Sequence, residues 1–282
     1  MREMREIKSV QIEEAVRKLC IDANCRLPAD VKHSISASCE REPWAPAKET
    51  LERIVQNYRI ADEGCQAICQ DTGVACVFIE IGQDVHVAGS IEAAVNEGVR
   101  RGYEEGYLRK SVVLDPIERK NTGDNTPAMI YYDIVPGDQL SITVAPKGFG
   151  SENMSQIKML KPSDGLQGVR EFILKVVEEA GPNPCPPIVV GVGIGGTFDK
   201  SALIAKKALL RPVDQRNADP KYAALEEEML AEINALGIGP QGLGGKTTAL
   251  AVNIEVLPTH IAGLPVAVNI NCHAARHKTE VL

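Results

Sequence analysis

Apolar residues recur at helical spacing through the first sixty positions, then give way to short β-branched runs. Ile12, Val16, Leu19 and Cys20 share one face of a helix that Ser9 can cap. Pro28 suits the first turn of a second helix, with Val31 and Ile35 on its apolar side. A third follows Pro43-Trp44-Ala45-Pro46 and carries Leu51, Ile54, Val55 and Tyr58. Residues 74–81 (VACVFIEI) are β-branched and apolar, which predicts a buried strand. Ser90 is placed to cap a helix running to about residue 107. Residues 129–135 and 140–145, joined by Pro136-Gly137-Asp138, read as a hairpin.

Helical spacing returns at 166–180. Residues 188–192 form a short apolar strand, followed by a glycine-rich turn and a helix over 201–210. A charged helix over 220–236 keeps an apolar seam through Leu225, Met229 and Ile233, and strands at 250–257 and 266–270 follow. The pattern predicts an α/β chain of mixed α+β character. A helical N-terminal region precedes interleaved strands and helices, arranged as two lobes around a cleft. One domain spanning 1–282 is expected, with Pro182–Pro187 as either a boundary between two lobes or a loop inside that domain. No internal repeat and no low-complexity segment interrupts it.

The 282 residues carry 31 Lys and Arg against 38 Asp and Glu, a formal charge of −7. A general polyanion binder needs a basic surface, so nucleic acid is not an expected partner. A small anionic substrate remains open, because a few well-placed arginines hold a carboxylate whatever the net charge. No apolar run reaches membrane-spanning length, and the opening residues lack the apolar core of a signal peptide. A cytoplasmic protein with no membrane association is expected. Cysteines at 20, 25, 39, 65, 69, 76, 185 and 272 are then better explained by metal, catalysis or burial than by disulfides.

Two glycine-rich segments offer competing chemistry. Gly191-Val192-Gly193-Ile194-Gly195-Gly196 follows a strand and fits G-x-G-x-x-G, with Asp214 near the distance of a ribose contact. However, the unit is mid-chain and Asp214 lies in a loop between Pro212 and Pro220, so a structural or anion-binding turn is the better reading. Gly242-Leu243-Gly244-Gly245-Lys246-Thr247 resembles a phosphate loop, but Pro240 stands where its first glycine belongs. A tight turn before a strand accounts for it.

Cys69, Cys185 and Cys272 each fall at the end of a predicted element, whereas Cys20 lies on a helix face and Cys76 inside a strand. Three thiolates on a 4Fe–4S cluster would leave one iron with open positions, able to act as a Lewis acid. Spacing alone does not select these three from the eight.

Several motifs in one order do more. Ile68-Cys69-Gln70-Asp71-Thr72-Gly73 is followed by Leu108-Arg109-Lys110-Ser111 with Asp115-Pro116. Asn121-Thr122-Gly123-Asp124-Asn125-Thr126-Pro127-Ala128 and Lys147-Gly148-Phe149-Gly150-Ser151-Glu152-Asn153 come next, then Cys185-Pro186-Pro187, the 191–196 glycines and Asn271-Cys272-His273. From about residue 10 onward the chain resembles the N-terminal half of class I, iron–sulfur fumarases. Equivalently, it resembles the α subunit of two-subunit fumarases and of L-tartrate dehydratase.

The resemblance implies a hydro-lyase with a 4Fe–4S cluster on Cys69, Cys185 and Cys272. It also implies a substrate site lined by Gln70, Asp71, Arg109, the Gly150 backbone and His260, with His260 and Asp71 in catalytic roles. Each role has a physical rationale beside a plainer one. Arg109 can grip a carboxylate through two parallel hydrogen bonds, or make a surface salt bridge. Gln70 and Asp71 can bond substrate polar groups, or Asp71 can simply form an Asx turn. His260 can bond or protonate a departing hydroxyl, or be a loop histidine after Pro258. Gly148 and Gly150 suit close backbone approach to an anion. The family's proposed base belongs to a C-terminal half that these residues do not contain, so a separate β subunit and an α2β2 assembly are expected. A small dicarboxylate, fumarate and (S)-malate first and L-tartrate second, is the expected substrate. A nicotinamide-dependent dehydrogenase and a non-catalytic iron–sulfur or zinc module are the rival functions.

Overall fold

The computed structural model describes residues 4–282; the first three, part of the opening stretch read for a signal peptide, lie outside the described residues. In chain order the elements are β1 (Arg5–Lys8), α1 (Ser9–Cys25), α2 (Ala29–Arg41), α3 (Ala45–Gly64), β2 (Val74–Gly82), β3 (Val85–Ala88) and α4 (Ile91–Glu105). There follow β4 (Met129–Val135), β5 (Leu140–Lys147), a one-turn α5 (Phe149–Glu152), β6 (Gln156–Leu160), α6 (Gly165–Ala180), β7 (Ile188–Gly196) and α7 (Phe198–Ala208). The chain finishes with α8 (Pro220–Ala235), β8 (Ala249–Thr259), β9 (Leu264–Asn271) and β10 (Lys278–Val281). The mixed α/β class read from the pattern is the class observed.

Two compact units are interleaved along the chain. The first takes the described residues up to Pro28, Tyr58–Phe149 and Arg276–Leu282; the second takes Ala29–Asn57 and Gly150–Ala275. The 182–187 stretch lies within the second unit.

In the first unit β10, β5, β2 and β4 form a sheet in that order. The hairpin expected of β4 and β5 does not form. β2 lies between them, antiparallel to β5 and parallel to β4. A polar turn between two strand-like runs fixes their lengths but not their neighbours, and β2, apolar and buried from Val74 to Ile79, is the strand best suited to the centre. Ile12, Val16 and Leu19 of α1 pack with Val95, Val99 and Tyr103 of α4 over Val77, Ile79, Ile142 and Val144. The two helices close tightly at Gly98 and Gly102, where a Cβ would meet the Glu13 and Arg17 carbonyls at 2.5 and 2.8 Å. Ser90 caps α4 as expected, its hydroxyl accepting from the Ala93 amide at 3.2 Å. Ser9, by contrast, is the first residue of α1, and Lys8 occupies the cap.

The second unit is built on the sheet β6-β9-β7-β8, with β7 parallel to β8 and antiparallel to β9. Strand alternation sorts its faces. Val190 and Val192 join Phe172, Val176, Leu225, Met229 and Ile233 of α6 and α8 in one core. Gly191 and Gly193 face α7 instead, where a Cβ would strike the Ala205 and Ser201 carbonyls at 2.2 and 2.1 Å. The glycine-rich segment is thus the second half of a strand rather than a turn after it, and its glycines admit a helix at close range.

Candidate active site

Thr72 and Gly73 anchor a turn that presents Cys69, Gln70 and Asp71 just ahead of β2. Gly73 has φ +73°, and a Cβ there would meet the Lys147 backbone at 2.6 Å, so only glycine fits between turn and β5. One Asp71 carboxylate oxygen accepts from the Gly73 amide at 3.0 Å, the Asx turn anticipated from the sequence. The other accepts from the Phe149 amide at 2.8 Å, tying the 147–149 segment to the turn. Gly148 allows this approach: a Cβ there would lie 3.1 Å from the same oxygen.

Three side chains without assigned roles brace the turn from within the unit. The buried Tyr103 hydroxyl reaches the Thr72 and Gly73 carbonyls at 2.8 and 3.1 Å, and burial pushes its phenol well above the ordinary range. Asn125, fully buried at φ +65°, donates to the Gly73 carbonyl at 3.2 Å and accepts from the Ser111 amide at 2.6 Å. Arg276, 4% exposed, donates to the Asp71 carbonyl. Asn125 stands in a motif that carries the resemblance, a usable signal; Arg276 lies three residues beyond the Cys272 motif, and Tyr103 shows only as a core position of α4.

Arg109 is fastened to the same turn through its backbone. Its amide donates to the Thr72 hydroxyl oxygen at 2.9 Å, and that hydroxyl donates to the Arg109 carbonyl at 3.1 Å. The Arg109 side chain is exposed and makes no ion pair among the described residues, so the surface salt bridge weighed above is not what occupies it. Gln70 is exposed and Cys69 half-buried. A thiol, a carboxamide and a guanidinium are therefore offered to solvent on one rigid frame.

In the second unit Cys185, exposed and at φ +55°, precedes β7, and Cys272 follows β9. The antiparallel pairing of Val189 with Asn271 brings these two strand ends together, and the His273 amide donates to the Cys185 carbonyl at 3.3 Å. Gly150 is exposed in this unit, with the Asn183 carbonyl 3.7 Å from where its Cβ would stand.

His260 does not join Cys185 and Cys272. It follows β8 at the end where Thr259 pairs with Gly196, whereas the two cysteines lie where β7 begins. At ~3.3 Å per residue the length of β7 separates them by roughly 25 Å. Sequence order put His260 close to Cys272; an intervening strand carries the chain to the far edge of the sheet.

The two glycine-rich rivals lose their ligand-binding character in the structure. The glycines of 191–196 are spent on helix packing and strand pairing. In the 242–248 loop an acid from the protein takes the place of a phosphate. The buried Glu42 carboxylate accepts from the Lys246 amide at 2.9 Å and from the Thr247 hydroxyl at 3.4 Å.

The cysteines divide by environment. Cys20, Cys25, Cys39 and Cys76 are buried, and burial pushes Cys20 up to about 12, which makes an inert thiol. Cys69, Cys185 and Cys272 are exposed or half-buried at element ends, as is Cys65, and the three are a donor set whose softness suits iron and sulfide. Among the described residues no three Cys, His, Asp or Glu side chains gather around one point.

Loops presenting thiols and an exposed guanidinium suit an enzyme of small carboxylic acids, and comparison with known proteins defines the class as hydro-lyase. The sequence profile of the family described as Fumarate hydratase (Fumerase) matches residues 13–281. A Methanocaldococcus jannaschii protein under the provisional name L(+)-tartrate dehydratase subunit alpha is 44% identical over 274 residues, covering 95% of this chain and 96% of that one. L(+)-tartrate dehydratase subunit alpha of Escherichia coli and of Shigella sonnei are each 32% identical over 273 residues, 95% of this chain and 90% of theirs. The chain belongs to the fumarate hydratase (fumerase) family. No helix among the described residues is long and apolar enough to cross a membrane.

Proposed function

We propose that the chain is the α subunit of a two-subunit hydro-lyase for four-carbon dicarboxylates, with Cys69, Cys185 and Cys272 as ligands of a 4Fe–4S cluster. The observation that carries this reading is the family match along nearly the whole chain. The reachable thiols at 69, 185 and 272 support it. Interconversion of fumarate and (S)-malate is the first reading, in line with the family's description. The names of the similar proteins favour L(+)-tartrate dehydration as the second. The word alpha in those names supports a separate β subunit, which in this reading supplies the base and completes an α2β2 cytoplasmic enzyme.

When bound, such a cluster supplies a Lewis-acidic iron for a departing hydroxyl group. The chain's own residues do the rest of their half of the work. Arg109 grips a substrate carboxylate with its exposed guanidinium. Gln70 bonds a second polar group, and the Gly150 backbone accepts close approach. Asp71 holds the turn in shape through both oxygens, and each keeps a lone pair for a substrate hydroxyl. His260 can serve a site built on Cys185 and Cys272 only from a second copy of the chain. Mixed assemblies of His260→Ala and Cys272→Ser chains would then regain activity that neither has alone; continued inactivity would place His260 outside the site.

Anaerobic co-expression with the partner subunit, followed by assays on fumarate, malate and tartrate, tests the whole. About four irons and four sulfides per α chain are expected, lost in Cys69→Ser, Cys185→Ser and Cys272→Ser but not in Cys20→Ser. Activity without inorganic sulfide, or nicotinamide-dependent hydride transfer by colourless protein, would overturn it.

A further inference from the structure

Cys25 and Cys65, which the site above leaves unused, lie on two segments that are joined within the first unit. Cys25 is the last residue of α1, and Cys65 is the first residue after α3, held at φ +48°. Their two segments are stitched together on both sides of the pair. The Ile68 amide donates to the Asn24 carbonyl at 2.9 Å. Arg26 spans the gap, bonded to Asp22 on α1, 3.4 Å from Asp62 on α3, and 3.9 Å from the Cys65 sulfur through Nη2. Between these clamps Cys25 and Cys65 are neighbours, and the Arg26 guanidinium that follows Cys25 in the chain lies against the Cys65 sulfur. One sulfur is exposed and the other is 1% exposed.

We propose that Cys25 and Cys65 are a peroxide-responsive thiol pair that closes to a disulfide, a modification site separate from Cys69, Cys185 and Cys272. An outer sulfur that solvent reaches and an inner one that it does not is the division of labour such chemistry needs. The Cys65 thiolate attacks hydrogen peroxide, the O–O bond breaks, and Cys65 becomes a sulfenic acid while hydroxide leaves and is protonated to water. The Cys25 sulfur then attacks Cys65; the S–S bond forms, the S–O bond breaks, and hydroxide departs with the Cys25 proton as a second water. In sum, two thiols and one peroxide give one disulfide and two waters. A dithiol reductant reverses it. Burial pushes the Cys25 thiol up to about 12, so the exposed Cys65, and not Cys25, is the one that meets peroxide first. The bond would pin the segment leading into the 69–73 turn to the end of α1.

The pair does not depend on the cluster reading, and the experiment separates the two. The full chain, purified anaerobically, is treated with one equivalent of hydrogen peroxide, alkylated and digested with trypsin. Peptides 19–26 and 60–100 should become cross-linked, with fragment ions placing the bond at Cys25 and Cys65. The cross-link should persist in Cys20→Ser and Cys69→Ser, vanish in Cys65→Ser and Cys65→Ala, and reopen with dithiothreitol. Because Cys65 is exposed, both Cys65 variants should melt within about a degree of the reduced parent. A cross-link that survives in Cys65→Ser would overturn the proposal. So would conversion of Cys65 to sulfinic acid without a bond to Cys25, or a Cys65 left untouched by excess peroxide.

Discussion

Two loops rich in backbone donors, at 69–73 in the first unit and 242–248 in the second, have opposite fates. In the later loop the donors are consumed by Glu42, and a Cβ on Gly245 would lie 3.2 Å from its carboxylate and 2.6 Å from the Ala47 side chain. The earlier turn spends its backbone groups on Tyr103, Asn125, Arg276 and the 147–149 segment, while Cys69 and Gln70 stay accessible. A glycine-rich loop becomes a binding site only when its fold leaves donors or ligands over. Motif shape alone does not say which groups are left.

Breaking the earlier turn should have the largest effect. Asp71→Ala removes acceptors from two backbone amides, and kcat/KM should fall at least ~100-fold, about 3 kcal/mol, with Asp71→Asn less affected. An unchanged kcat/KM would mean that the turn's shape is irrelevant to activity. Glu42→Ala should do the converse. It removes the buried carboxylate that holds the Lys246 amide and the Thr247 hydroxyl and should cost about 1–3 kcal/mol of stability, read by denaturant unfolding, with kcat per folded chain unaltered. Arg109→Ala should raise KM roughly 30-fold, about 2 kcal/mol, without loss of stability. Tyr103→Phe deletes a buried hydroxyl that serves two carbonyls and should cost about 1–2 kcal/mol.

The smallest effect concerns pH. Asp124 is partly desolvated, which opposes its ionisation. The hydrogen bonds from the Thr126 amide and hydroxyl outweigh that and hold its carboxyl below the usual range. A lowered folded-state value stabilises the fold above the unfolded pKa, about 3.9, and that contribution fades as pH falls through the folded value. The melting-temperature gap between parent and Asp124→Asn should therefore be open at neutral pH and close below about pH 3. A gap that widened on acidification would reverse the sign of this account.

Much of the secondary structure could be read from spacing because burial of one helix face or one strand core writes a local signature. The apolar seam Leu225, Met229, Ile233 is in the core as expected, and so is the 74–81 run. The short strands β1, β3, β6 and β10 left no such mark, being four or five residues long and partly exposed. The 191–196 glycines carried no side chains to show strand alternation. Of the candidate site, Cys69, Gln70, Asp71 and Arg109 were legible as motif residues. Their bracing by Tyr103 and Arg276 was not, since those contacts join positions 31 and 205 residues apart.

The amino-acid sequence by itself determined the chemistry available: which thiols, guanidinium groups and carboxylates exist, and which local elements carry them. Only tertiary structure decided that β2 separates β4 from β5, that Glu42 fills one loop, and that His260 stands a strand's length from Cys272. Spacing along the chain governs contacts within a helix or strand. Long-range pairing follows from which faces must be buried together, and that is a property of the whole fold.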